Sequence, residues 1–171
     1  MTSATTKPIE IDRDERPTQP MIRTRDASRV VPLVARVLFA SIFLLAAPHN
    51  FTSTAIDAAA SQGVPLPGVL VPLSGVLAAA GGMSVLFGYK AKVGGFLLVL
   101  FLVPVTLFMH RFWSATDPQV AQWQLVNFLK NVGLTGGALA FAYFGAGPLS
   151  ADARIARMHV RMQKDETAPS A

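Results

Sequence analysis

The sequence predicts an all-α membrane protein: a bundle of four transmembrane helices, N-in and C-in, with a C-terminal amphipathic helix. Three observations predict it. The 171 residues are 51% hydrophobic and only 15% charged, whereas a soluble domain carries about 25% charged residues. The apolar residues gather in four blocks, each near the roughly 20 residues a helix needs to cross a bilayer. The blocks are continuously apolar rather than alternating, which selects helices over barrel strands.

Residues 1–29 are polar, contain Pro8, Pro17 and Pro20, and mix Lys/Arg with Asp/Glu almost evenly. They read as a disordered cytoplasmic tail. No short apolar run follows a basic start, so a cleaved signal peptide is not expected and the first span acts as its own insertion signal. Residues 30–149 form the four-helix membrane domain, with spans at 30–47, 67–87, 93–112 and 123–144. The first span is the weakest because Arg36 interrupts it near its start; that side chain is expected to snorkel to the interface. Pro104 is expected to kink the third span and free a backbone carbonyl near its middle. Gly133 with Gly137, and Ala78 with Gly82, make small-xxx-small pairs. These read first as packing within the bundle and second as a seam between copies, which leaves a homo-oligomer open.

The loop at 50–63 holds Phe51, Ile56 and three consecutive alanines. It is expected to form a short helix over the outer mouth of the bundle, with Asp57 facing water or the bundle. Gly145-Ala146-Gly147-Pro148 breaks the fourth span, and Ser150 can cap a new helix within residues 150–171. There Ile155, Met158 and Met162 line one face, flanked by Arg154, Arg157, Arg161 and Lys164. This pattern suits a helix lying on the anionic inner leaflet; a partner-binding helix is the other reading.

Thirteen of the fifteen Lys/Arg residues fall on one side of this arrangement, leaving only Arg111 and Lys130 to the other half. The positive-inside rule then puts both termini in the cytoplasm and the loops at 48–66 and 113–122 outside. The formal net charge is +5, but these cations flank apolar spans, which fits lipid head groups and argues against nucleic acid. Cysteine is absent, which removes disulfides, thiolate nucleophiles, Cys-bound metal and iron–sulfur clusters.

Lys130 stands inside an apolar span that holds no Asp or Glu. An ammonium at a helix centre costs roughly 2.5–3.5 kcal/mol on insertion scales, so such a residue is a site candidate unless it reaches the interface or a partner. Asn127, Lys130 and Asn131 are spaced i, i+3 and i+4 and so share a helix face. His49 and His110 end the first and third spans on the same outer side, near Arg111, Trp113, Gln122 and Gln124. Together Lys130, Asn131, Asn127, His110 and His49 can line an outward-facing polar pocket for an anion or a quinone head group. Lysine supplies the charge, the asparagines orient donors and acceptors, and histidine exchanges protons near neutral pH. The competing reading is structural: Lys130 lies about two turns into the span, roughly 10 Å at helical rise, within reach of the interface. Phe112, Trp113 and Trp123 read as an aromatic belt. Two histidines without a carboxylate or cysteine make no metal site. Gly81-Gly82 and Gly94-Gly95 lack the strand-turn-helix context of a nucleotide fingerprint. No nucleophile with its base is present, so neither an autonomous enzyme nor any catalytic residue is expected.

Several segments carry a resemblance in their order and spacing: Pro48-His49-Asn50-Phe51, Gly63-Val64-Pro65, Gly81-Gly82, Gly88-Tyr89-Lys90-Ala91-Lys92, His110, Phe128-Leu129-Lys130-Asn131 and Phe144 to Ser150. Over roughly residues 29–154 the chain resembles the DoxX family of small four-helix inner-membrane proteins. The resemblance implies an accessory, non-catalytic subunit of a membrane redox system, with a redox partner protein and a quinone held non-covalently. A small-solute transporter or binding module, and a structural scaffold for a partner enzyme, stay open beside it. An acidic residue common in the family three positions before the glycine pair is replaced here by Ala78, which removes any proton- or cation-handling role tied to that carboxylate.

Overall fold

In the computed structural model residues 24–166 are described, and the expectations for residues 1–23 and 167–171 lie outside them. Among the described residues six α-helices follow one another: α1 Thr24–Ala46, α2 Ser53–Ser61, α3 Pro67–Phe87, α4 Ala91–Met109, α5 Pro118–Phe144 and α6 Ala151–Glu166. Short 3-10 turns at Ala47–Phe51 and Phe112–Ser114 end the first and third spans. Among the described residues four segments are long and apolar enough to cross a membrane. The fourth, not the first, is the least apolar of them.

Each boundary has a local cause. Proline at the first position starts both α3 and α5, where its missing N–H costs nothing. Asp117 caps α5 by accepting from Gln119 N at 2.7 Å and Val120 N at 3.1 Å. That Asp-Pro start lengthens α5 by five residues beyond the expected 123. Lys130 therefore sits twelve residues into the helix, about 18 Å along it at helical rise rather than about 10 Å. Similarly, α1 begins at Thr24, so residues 24–29 of the expected tail are helical.

Helix α4 is the centre of the bundle and packs most extensively on α5 and α3. Two adjacent glycines make this possible. A Cβ on Gly94 would meet the Gly81 carbonyl of α3 at 3.0 Å, and one on Gly95 would meet Ala138 O at 2.7 Å and Ala142 N at 2.5 Å on α5. Gly137 receives the ring of Phe39 from α1, whereas Gly133 faces open space. The small-xxx-small pair on α5 is thus half used. The core holds Ala40, Phe43, Val85, Leu98, Leu102 and Ala138. Around it most large apolar side chains face outward, as a bundle needs when its solvent is hydrocarbon.

Arg36 departs from expectation. It does not snorkel: only 1% of it is exposed, and Nη2 donates to Leu149 O at 2.6 Å. Gly88 lacks the Cβ that would collide with Nη1, and Ser150 and Ala146 close the site. The guanidinium thus lies under the segment leaving α5 instead of escaping along the helix surface. Among the described residues its Nε and Nη1 find no hydrogen-bond partner.

That same segment is fastened again at Asp152. Its carboxylate accepts from Lys90 N at 2.8 Å and Ala91 N at 3.1 Å, capping α4 from a distance, while its own N–H donates to Gly88 O at 2.9 Å. Ser150 caps α6 as expected, accepting from Ala153 N at 3.1 Å. Asp152→Ala is expected to cost about 1–2 kcal/mol, the worth of a lost N-cap. Hydrogen exchange at Lys90 and Ala91 should rise, and unchanged protection there would remove the cap from the account.

Candidate functional site

A cavity of about 660 Å³ opens in the half of the bundle that carries His49 and His110, walled by α1, α3, α4 and α5 and roofed by α2. Its walls are mostly apolar, with Phe43, Leu77, Phe101 and Leu134 among them. Polar groups reach it from several elements: His49 and Asn50 from the turn after α1, Ser74 from α3, His110 from the end of α4, and Lys130 and Asn131 from α5.

Each of these is placed by an identifiable contact. The turn bearing His49 and Asn50 lies against α3 because Gly75 offers no Cβ; one there would stand 2.9 Å from both Asn50 Cβ and the Phe51 ring. The α2 roof turns Ala55 and Ala59 inward and leaves Asp57 exposed. Arg111 holds the roof, since its Nη2 donates to the Gln62 carbonyl and lies 3.2 Å from Gln62 Oε1. It is a tie beside the cavity rather than part of its lining. His110 Nδ1 is 2.9 Å from Gln124 Oε1. With an amide oxygen as partner, Nδ1 is the donor of this pair.

Lys130 is exposed, and its Nζ donates to Asn127 Oδ1 at 3.0 Å. Asn127 Nδ2 in turn donates to Trp123 O at 2.9 Å, one turn nearer the helix start. The ammonium is thereby drawn toward the histidine end. Asn131 is buried, 6% exposed, and among the described residues its side-chain amide has no hydrogen-bonding partner. Asn131 lines the cavity, so this unpaired group is available to whatever enters it.

Of the five residues expected at a site, His49, His110, Lys130 and Asn131 therefore border one cavity, and Asn127 stands behind Lys130. Asn50 and Ser74 were not among those expected. Asn50 adjoins His49 in sequence and could have been found from that; Ser74 carries no sequence signal apart from lying on α3. Pro104 also lines the wall beside Leu100. Because proline has no N–H, the Leu100 carbonyl lacks its intrahelical donor. Phe112 packs edge-on against Trp113 and Phe128, with centroids 5.1 and 5.4 Å away, consolidating the same end of the bundle. Among the described residues no cluster of His, Asp or Glu could hold a metal.

This geometry selects for shape and polarity. An apolar body fits the walls, and a head group with acceptors meets an ammonium, an amide and imidazoles. Among the described residues no carboxylate borders the cavity, so a cationic head would find no counter-charge from them.

The DoxX family model matches residues 31–111, from α1 to the end of α4. Inner membrane protein YphA of Escherichia coli (strain K12) is 26% identical over 131 residues, covering 75% of this chain and 92% of that protein. Inner membrane protein YqjF of the same organism is 29% identical over 121 residues, covering 70% of this chain and 88% of that protein. No solved structure matches the chain. The Lys130 segment lies beyond the matched family region, whereas His49 and His110 lie within it. With four membrane-crossing helices and these inner-membrane relatives, the chain is a multi-pass inner-membrane protein whose residues 31–111 match the DoxX family model.

Proposed function

We propose that this protein is a non-catalytic accessory subunit of a membrane redox system and binds a quinone in the cavity between α1, α3, α4 and α5. One observation carries the binding part: His49, His110, Lys130 and Asn131 all line one mostly apolar cavity of about 660 Å³. A quinone is a flat apolar ring with two carbonyl acceptors and an isoprenoid tail. Lys130 and the Asn131 amide are donors for one carbonyl, and the apolar walls take the ring and the start of the tail. The redox part rests on the family, and the absence of a nucleophile or base pair in the sequence favours a partner that performs the chemistry.

Hydrogen bonds to charged groups are worth about 1.5–3 kcal/mol. Lys130→Met is thus expected to weaken binding of a short-chain ubiquinone analogue by about tenfold to a hundredfold, by the conversion of 1.4 kcal/mol per tenfold. Titration by quenching of the two tryptophans measures it. Unchanged affinity would remove Lys130 from the site, and full quinone reduction in membranes carrying the variant would remove it from the redox system.

The scarcity of charge in the cavity walls favours a second reading, a transporter or binding module for a small apolar solute. That reading expects solute flux from the isolated protein in proteoliposomes, and no flux retires it.

A further inference from the structure

We infer that α6 is a lipid-sensing element that lies on the anionic leaflet at the end of the bundle opposite His49 and His110. Its occupant is the phospholipid surface itself. Ile155, Met158 and Met162 recur at i, i+3 and i+7 and form one stripe, and all three are exposed. No other part of the described chain covers them. On one flank of the stripe stand Arg154, Arg157 and Arg161; on the other stand His159 and Glu166. The arginine flank makes the helix asymmetric, with cations beside the apolar edge, as an interface-seeking helix requires.

Three observations choose lipid over another partner. The first is attachment: Asp152 fixes the start of α6 to the α3–α4 turn through Lys90 N, Ala91 N and Gly88 O. The helix consequently begins at the edge of the membrane-crossing bundle, where a leaflet surface is the nearest apolar medium. The second is charge. Lys90 and Lys92 border a cleft of about 410 Å³ beside the start of α6, so the basic character of the helix continues onto the bundle and complements anionic head groups. The third is the bend. Arg157 Nη1 donates to Pro148 O at 3.2 Å, folding this flank back toward the exit of α5 rather than away from the bundle.

The absence of cysteine permits a clean test. Met158→Cys on the stripe and Val160→Cys on the opposite face each receive one environment-sensitive fluorophore in the full-length protein. The labelled proteins are placed in protein-free nanodiscs of pure phosphatidylcholine or of phosphatidylcholine with phosphatidylglycerol. The probe at position 158 is expected to shift to the blue and lose several-fold in iodide quenching only in the anionic discs, while the probe at 160 stays aqueous. Combining Arg154→Gln, Arg157→Gln and Arg161→Gln should abolish the difference between the discs. Equal exposure of both probes in anionic discs overturns the inference. Protection of position 158 that occurs only in native membranes, not in protein-free discs, also overturns it and assigns the stripe to a protein partner.

Discussion

Gly95→Ala is expected to leave little correctly assembled protein after detergent extraction. The added methyl would stand 2.5 Å from Ala142 N and 2.7 Å from Ala138 O. Both are backbone atoms of α5, so no rotamer change relieves the contact; the helices must separate. Overpacking in a well-packed core typically costs 1–3 kcal/mol and occasionally more, and a rigid backbone contact belongs at about 3 kcal/mol or above. The separation also moves α5 relative to α4, and with it Asn131 and Lys130 relative to His110. Gly133→Ala is the control, since nothing lies within 4 Å of the position its Cβ would take. That variant should be neutral or slightly stabilising, because alanine outranks glycine in a helix by about 1 kcal/mol. A fluorescence-monitored size-exclusion profile after graded heating compares the two. Equal melting would mean that the α4–α5 seam does not depend on close backbone approach.

Gly88→Ala is the second large effect, in the turn between α3 and α4. Gly88 has φ +65°, a region that costs an L residue roughly 1–2 kcal/mol. Its added Cβ would also collide with Arg36 Nη1 and stand 2.5 Å from Ser150 Cβ. Strain and clash together should exceed about 3 kcal/mol. An Arg36→Met background removes the guanidinium, and with it part of the clash. The Gly88→Ala cost should then fall without vanishing, because the φ strain and the Ser150 contact remain. Such non-additivity is the signature of direct coupling. Strictly additive costs would mean that Arg36 and Gly88 do not share a site.

Arg36 also shows where sequence reasoning stops. A cation near the start of an apolar run reads as one that reaches water, and the chain's own hydropathy offers no other destination. Its real destination is the Leu149 carbonyl, 113 positions away. The room for it comes from one missing Cβ at Gly88. Neither is a local property. Asp152 is similar: within its own helix it is an ordinary first-turn acid, and only the packing of α6 on the α3–α4 turn makes it the cap of another helix.

The helices themselves were legible. Pro67–Phe87 is bounded as expected, and the roof helix and Ser150 cap follow from short-range signals. The five-residue shift at the start of α5 is caused by Asp117-Pro118, a cap and first-position pair that is itself a local sequence signal. The site was legible as a set of residue types at one end of the bundle. That His49, His110, Lys130 and Asn131 face one cavity depended on helix rotation, set by Gly81, Gly94, Gly95 and Gly75 at the crossings. The exclusion of cysteine as a metal ligand, the four crossings and the Lys130 charge within the fourth span are properties of composition and of period along one chain. Hydrocarbon enforces the helical crossings by requiring every spanning backbone group to bond within its own helix. Which faces meet, and so what Lys130 and Arg36 touch, is decided by close packing between helices, where a single methyl group changes the outcome.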